Sequence, residues 1–390
     1  MIVDSTADVV ATAMAGRRRI LILNWRDISH PRAGGAEKVT HEIARRWAQW
    51  GHHVTQFSAL YPGAASEEEI DGVRILRAGR QATVHWEAFR GYRRRLLGCC
   101  DVIVDEVNTI PFFAPMYARE PVVMFCHQLA REVWHYEAPF PLSVVGFVAE
   151  PLYLRAYRTT PFLTVSESTR NDLRRLGLKG PGFIVRNAID LPAATRLPAL
   201  DSKERDLTLV FVGRVVPSKR VDHIIRALSH LHRRGYAQAR LWIVGAWDDR
   251  YKRALDKLIA EHALGESVIF WGRVEEATKE RCLARAHVVV MTSVREGWGL
   301  AVSEANAVGT PGVVYDVPGL RDSTLHAQTG IVCTRNDPES LATSILALCG
   351  NRDYYARLRY AAWSMARQLT WDRTATQAWS AVQEAMSVAR

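Results

Sequence analysis

The 390-residue chain contains no apolar run of the roughly 18 residues that a membrane-spanning helix requires. Its first 16 residues (MIVDSTADVVATAMAG) carry Asp4 and Asp8 and have no basic flank. They read as a frayed leader or a short helix, not a signal peptide, so the expected location is the cytoplasm. The six cysteines have no CxxC spacing: Cys99 and Cys100 are adjacent, and Cys126, Cys282, Cys333 and Cys349 are scattered. That pattern argues against a zinc site or a disulfide framework and for small buried thiols. No GxGxxG follows the first apolar strand, which speaks against hydride transfer on a nicotinamide cofactor. A clustered basic face is missing too, although the formal charge is +10. Residues 1–195 hold 24 Lys+Arg against 20 Asp+Glu, and the remainder 27 against 21. An excess spread this evenly argues against nucleic acid and suits anionic small molecules or an anionic lipid surface.

What is present is ordinary globular material, 48% hydrophobic and 24% charged, in a chain long enough for two cores. Short Val/Ile/Leu runs alternate with amphipathic stretches. The first block predicts strands near Ile20–Trp25, Val54–Leu60, Val73–Ala78, Val102–Asp105, Val122–Cys126 and Phe162–Val165, with helices at Ala36–Trp50, Val84–Leu97 and Val144–Tyr157. The second predicts strands at Leu207–Gly213, Leu241–Gly245, Val268–Trp271, Val288–Met291 and Val313–Tyr315, with helices at Arg220–Arg234, Arg250–His262 and Ala301–Val308. Apolar runs flanked by helices imply parallel strands buried on both faces, hence two doubly wound, Rossmann-like α/β domains. Residues 191–206 (LPAATRLPALDSKERD) have two prolines, a charged tail and no periodicity, and read as the linker between domains at 1–190 and 207–370.

Three segments carry candidate chemistry. The first strand runs into NWRDISHPRAGG and then a helix, so Gly34 and Gly35 can expose backbone amides at a positive helix end. In LVFVGRVVPSKRVDHIIRAL, Arg214 and Lys219 stand five residues apart just after a buried strand, a fork and a point charge suited to a diphosphate. In EGWGLAVSEANAVGTPGV, Glu296 and Glu304 flank Gly297 and Gly299 at the start of a helix. The glycines offer amides to an anion, and Glu304, about one turn in, can accept from a ribose diol.

The segments GRVVPSKRVDHIIRAL and EGWGLAVSEANAVGTPGVVYDVPGLRD resemble the donor-binding half of family 4 glycosyltransferases, which have the GT-B fold. The likeness extends to the paired-glycine loop, His127, VSESTRNDLRRLG and RNAID, and so covers nearly the whole chain. It implies a GT-B architecture with an interdomain cleft, an acceptor-binding first domain, a donor-binding second domain, and a helix at about 371–390 crossing back onto the first. It further implies that Arg214 and Lys219 hold the donor diphosphate, that Glu304 binds ribose and that Glu296 binds the sugar hydroxyls. Amides of Trp298, Gly299, Leu300 and Ala301 would reach the donor, Arg273 and Val274 would seat the nucleobase, Gly35 would close the phosphate pocket, and His127 would lie beside the reacting sugar. Trp298 stands where the family more often has Phe, and Ala188 where Gly is commoner.

The resemblance implies retaining transfer of a hexosyl group from a UDP- or GDP-sugar to a hydroxyl acceptor, with no cofactor. No Asp-x-Asp pair occurs, so turnover is expected to be metal-independent. A retaining phosphorylase would need a pyridoxal-phosphate lysine and a much longer chain, and a non-catalytic nucleotide-sugar sensor could dispense with Arg214, Glu296 or His127. Cell-envelope glycan, exopolysaccharide, glycolipid and small natural products are all open as acceptors. The stretch VHWEAFRGYRRRLL places Arg90, Arg93, Arg94 and Arg95 beside Trp86, Phe89 and Tyr92, a composition that suits peripheral contact with an anionic membrane as well as a solvated helix face.

Overall fold

The computed structural model of the chain describes residues 16–95, 97–190 and 196–388. The leader reading of the N-terminal segment therefore falls almost wholly outside the described residues, as does the start of the linker.

In chain order the elements begin with β1 (Arg19–Leu23), α1 (Gly35–Gln49), β2 (His53–Ser58), β3 (Glu67–Ile70), β4 (Val73–Arg77), α2 (Val84–Arg93), β5 (Val102–Glu106) and β6 (Val122–Cys126). They continue with α3 (Val133–Glu137), α4 (Leu142–Leu154), β7 (Phe162–Thr164), α5 (Glu167–Arg175) and β8 (Gly182–Ile184). The next stretch holds β9 (Thr208–Val212), α6 (Val221–Arg233), β10 (Arg240–Val244), α7 (Asp249–Glu261), β11 (Val268–Gly272), α8 (Glu276–Arg285) and β12 (Val288–Met291). It closes with α9 (Leu300–Ala307), β13 (Gly312–Val314), α10 (Leu320–Ser323), β14 (Gly330–Val332), α11 (Pro338–Cys349), α12 (Arg352–Ala366) and α13 (Trp371–Val388).

These form two units, each around its own sheet. The first takes the chain up to Arg131, then Val144–Ala188, then the chain from Thr370 onward; the second takes Glu132–Ser143 and Ile189–Leu369. Residues 132–143, inside the span read from sequence as first domain, thus cluster with the second unit.

The first sheet has the order β3-β4-β2-β1-β5-β6-β7-β8, parallel except for the antiparallel β3 at its edge. The strand Glu67–Ile70 reads EEEI and escaped the sequence pattern because edge strands carry charge where central ones carry Val and Ile. The second sheet, β11-β10-β9-β12-β13-β14, is parallel throughout. Its inner strand β9 is buried along its length, as two-sided helix cover requires.

Helix α13 closes the first unit. Trp47 of α1 donates from its indole nitrogen to the Ala375 carbonyl at 3.2 Å and meets the Trp379 ring edge-on at 5.6 Å. Arg46 reaches Asp372 at 2.6 Å, and Thr374 donates to the Arg186 carbonyl at 2.7 Å. Both Trp47 and Trp379 are almost wholly buried, so this helix is core and not appendage.

Each sheet has a point where strand order reverses, between β1 and β5 and between β9 and β12. Loops leaving the carboxyl ends of such neighbouring strands splay apart and leave a crevice, the usual ligand position in open parallel sheets.

Candidate active site

In the second unit the reversal point gathers the charged residues singled out above. Arg214 and Lys219 follow β9, and Glu296 follows β12. The two loops are stitched together by Arg220, whose guanidinium donates to the Thr292 carbonyl at 2.7 Å and the Ser293 carbonyl at 3.0 Å. The Thr292 hydroxyl donates back to the Lys219 carbonyl at 2.9 Å, and the Val294 amide to the Ser218 carbonyl at 2.9 Å. Arg220 adopts a left-handed φ of 48° to begin α6 and lies over the Tyr315 ring. Burial pulls its pKa below the ordinary arginine value, yet it bonds only neutral carbonyls. Its job is to fix the loops. The sequence offered no sign of this, because Arg220 reads there as one more loop cation.

That stitching brings Lys219 into a salt bridge with Glu296, whose carboxylate also accepts from the Ser293 hydroxyl at 2.7 Å. Arg214 projects from the same loop with a mostly exposed side chain, 3.9 Å from Glu137 of α3. Glu137 in turn accepts from the Ser218 hydroxyl at 2.5 Å. A short helix from residues 132–143 therefore sits against the diphosphate-type loop, which no local pattern announced.

Gly299 opens α9 with φ 92°, and a Cβ there would meet Leu320 Cδ2 at 2.9 Å and Ser323 Oγ at 3.0 Å. Both the backbone conformation and the space demand glycine. Trp298 is buried, its indole nitrogen donating to Ser303 Oγ at 2.9 Å. The tryptophan packs at the start of α9. Leu300 and Ala301 form the first turn, where unpaired amides and the helix dipole favour an anion.

Glu304 lies one turn further along α9. Lys279 of α8 donates to it at 3.1 Å and reaches Glu276 at 2.7 Å. Burial raises the Glu304 pKa, and Lys279 works against that rise. Lys279 is itself pulled down by burial but held above its ordinary value by Glu304 and Glu276. Sequence reasoning missed Lys279, because a lysine on an amphipathic helix looks like any solvated one. Arg273, exposed, and Val274, half-buried, leave the carboxyl end of β11. The half-exposed Trp247 ring covers Gly272 there, 3.6 Å from where a Cβ would stand.

In the first unit, Gly34 and Gly35 stand at the N-terminus of α1, and Glu37 accepts from the Gly34 amide at 2.8 Å. His127 follows β6 and is buried, with Nε2 3.2 Å from Glu106 at the end of β5. Glu106 also accepts from Asn24 at 2.9 Å and from the Thr40 hydroxyl at 2.6 Å. The hydrogen bond to that carboxylate places a proton on Nε2, so Nδ1 is the acceptor whenever the ring is uncharged. Nδ1 is buried and finds no hydrogen-bond partner among the described residues. Asn24, Thr40 and Glu106 were not found from sequence; they come from three separate elements that converge only at the reversal point.

On α2, Phe89 and Tyr92 are half-buried against the Tyr117 ring at 5.3 and 5.4 Å, Phe89 also lies 5.4 Å from the exposed Trp86 ring, and Arg93, Arg94 and Arg95 are exposed.

Comparison with known proteins bears on both units. Residues 33–192 match the family model described as Glycosyltransferase Family 4, and residues 195–365 the one described as Glycosyl transferases group 1. A glycogen synthase of Mycobacterium tuberculosis is 24% identical over 398 residues, spanning 92% of each chain. Among solved structures, a sucrose-phosphate synthase from Thermosynechococcus elongatus superposes with a TM-score of 0.78 at 19% identity, covering 95% of this chain and 100% of that one. HepE of Anabaena, solved with UDP-glucose, gives 0.70 at 16% identity over 95% and 100% of the two chains.

Proposed function

Because the chain belongs to the family 4 glycosyltransferases of the GT-B type, we propose that it moves a hexosyl group from a UDP-sugar to a hydroxyl acceptor with retention and without a metal ion. The acceptor class is a cell-envelope glycan, an exopolysaccharide or a glycolipid. The observation that carries the donor half is the second unit's reversal point. There Lys219 and Glu296 are paired, Arg214 projects with its side chain mostly exposed, and Glu304 stands a turn inside α9. The UDP-glucose complex of HepE, a structure of the same fold, supports uridine over guanosine.

In this reading the diphosphate lies against Arg214, Lys219 and the first amides of α9, and Glu304 accepts from the ribose diol. Arg273 and Val274 receive the base. Glu296, held by Lys219 and Ser293, binds sugar hydroxyls. With Glu296 so engaged it is a binder and not a nucleophile, so departure and attack occur on the same face through an oxocarbenium-like state. The bond from the anomeric carbon to the diphosphate oxygen breaks as the acceptor oxygen bonds to that carbon. The acceptor's proton passes to the departing diphosphate oxygen. Arg214 and Lys219 stabilise the charge that develops there, and removing one such cation costs about 3 kcal/mol, roughly a hundredfold in rate. These two cations take the place of a divalent ion. In the first unit, the free Nδ1 of His127 is an acceptor for a sugar hydroxyl.

The test is calorimetric titration with UDP, GDP and UDP-glucose in the presence of EDTA. Micromolar binding of UDP, lost in Glu304→Ala, supports the reading, and NMR of the product's anomeric configuration decides retention. A folded protein that binds no nucleotide would end it.

A further inference from the structure

Helix α4 is amphipathic in burial but not in polarity. Its inward face holds Leu154 and the helix's one charged residue, Glu150, which is 1% exposed. Glu150 is needed inside because its carboxylate accepts from the Ala130 and Arg131 amides at 2.8 and 2.7 Å. The outward face carries Val144, Val145, Val148 and Leu152, exposed by 45, 60, 57 and 52%. An ordinary surface helix arranges these the other way round. Exposed large apolar side chains are normal singly, but four on one short helix form a patch that needs a partner.

The charges around the patch select that partner. On α4 and the turn after it the exposed charged residues are Arg155 and Arg158, both cationic; the exposed acids that flank this stretch, Glu137 and Glu167, are paired with Arg214 and Arg170. Val144, Val148, Leu152 and Arg155 follow one another at spacings of four, four and three, so one line along the helix runs from apolar to basic. Lys179, also exposed, donates its amide to the Arg158 carbonyl at 2.6 Å and adds a third cation beside the arginines. At 13 residues α4 is about 20 Å long, too short to cross a bilayer. No helix among the described residues is long and apolar enough to do so.

We propose that α4 docks the protein on an anionic membrane. Its Val/Leu face lies in the interfacial plane, and Arg155, Arg158 and Lys179 meet lipid phosphates. On α2, by comparison, Phe89 and Tyr92 are half-buried against the Tyr117 ring and Trp86 alone of the three aromatics is exposed. The role given to α4 goes beyond the donor reading and does not depend on it, because docking needs no nucleotide. For a transferase whose acceptor is lipid-borne, it would bring the enzyme to its substrate.

Co-sedimentation of the full chain with vesicles tests this, using phosphatidylglycerol and phosphatidylcholine in equal parts against phosphatidylcholine alone. The wild type should pellet with the mixed vesicles and bind the neutral ones at least about tenfold more weakly. The triple variant Val145→Gln, Val148→Gln, Leu152→Gln should lose at least about tenfold in binding to the mixed vesicles. Arg155→Glu with Arg158→Glu should reduce mixed-vesicle binding to the neutral level. All these positions are exposed, so unchanged melting curves confirm that folding is intact. The proposal is overturned if the wild type stays in the supernatant with both vesicles, or if the triple variant pellets as well as the wild type. It is equally overturned if light scattering shows a dimer that the triple variant dissociates while vesicle binding is unaffected. That last result would assign the face to a second copy of the chain. A protein that docks but binds no nucleotide would refute the donor reading alone.

Discussion

Lys279 holds the Glu304 carboxylate from the neighbouring helix at 3.1 Å and is itself tied to Glu276 at 2.7 Å. Burial raises the Glu304 pKa, Lys279 opposes the rise, and Glu276 and Asp190 add to it. Replacing Lys279 by Met leaves only the raising influences. Nucleotide affinity in Lys279→Met should therefore fall on acidification at a higher pH than in the wild type. The gap should reach about tenfold near pH ~5.5. Lys279→Arg should restore most of the profile. Calorimetric titration with UDP from pH ~8 to ~5 reads this directly, and parallel profiles for Met and Lys would refute it.

Glu296 and Lys219 are paired to each other, and the proposed function gives them different tasks. Glu296→Gln should leave UDP affinity within about threefold, because in the proposed pose the nucleotide does not touch it. Turnover of the nucleotide sugar should drop by about a hundredfold. Lys219→Ala should lower both. Equal losses of UDP affinity in the two variants would remove the distinction between a sugar binder and a phosphate binder.

The Glu106 carboxylate accepts from Asn24 and Thr40 and fixes His127. A glutamine side chain, with a single acceptor oxygen, could not serve all three, so Glu106→Gln should destabilise the first unit by about 1–3 kcal/mol in urea denaturation. It should also slow turnover by releasing the imidazole. His127→Ala should slow turnover at least about tenfold, and the double variant should lose less than the two single losses added together. Strict additivity would place His127 and Glu106 in separate roles.

His52 supplies a pH dependence of folding. It is 4% exposed, accepts from the Arg18 amide at 3.2 Å and lies against Trp379 of α13 with ring centroids 4.1 Å apart. Burial, and after it Arg18, lower its pKa to about 4. The folded state thus favours the neutral ring, and the stability this contributes is present above the unfolded value of about 6.5. It is lost as pH falls from there to about 4, by up to about 3 kcal/mol. Hydrogen exchange at α13 should accelerate across that window, and His52→Gln should flatten the response. Exchange independent of pH after correction for intrinsic rates would refute it.

Much of the fold was legible because its strands are buried on both faces. The runs that became β1, β2, β5, β6, β9, β10 and β12 could hardly be anything else. The strands Glu67–Ile70, Gly182–Ile184 and Gly330–Val332 were not legible: one is an acidic edge and two are only three residues long. Of the site, the sequence exposed residues clustered along the chain, such as Glu296 with Gly297 and Gly299. It concealed those whose partners are distant: Lys279 lies 25 residues from Glu304, and Thr40 lies 66 from Glu106. A cation such as Arg220, spent wholly on backbone carbonyls, carries no sequence mark at all. The solvent face of α4 was concealed for the opposite reason, since an apolar helix reads as core wherever it occurs.

The chain passes between its two units four times, at residues 131–132, 143–144, 188–189 and 369–370. A ribosome that has made the first 190 residues has therefore not yet made the first unit. Trp47 is synthesised early and waits for Trp379, about 330 residues later, before its indole is covered. Until then Trp47 lacks its contacts with the Trp379 ring and the Ala375 carbonyl. Order of synthesis and order of completion are reversed for these units, since α13, made after the second unit, finishes the one that was started first.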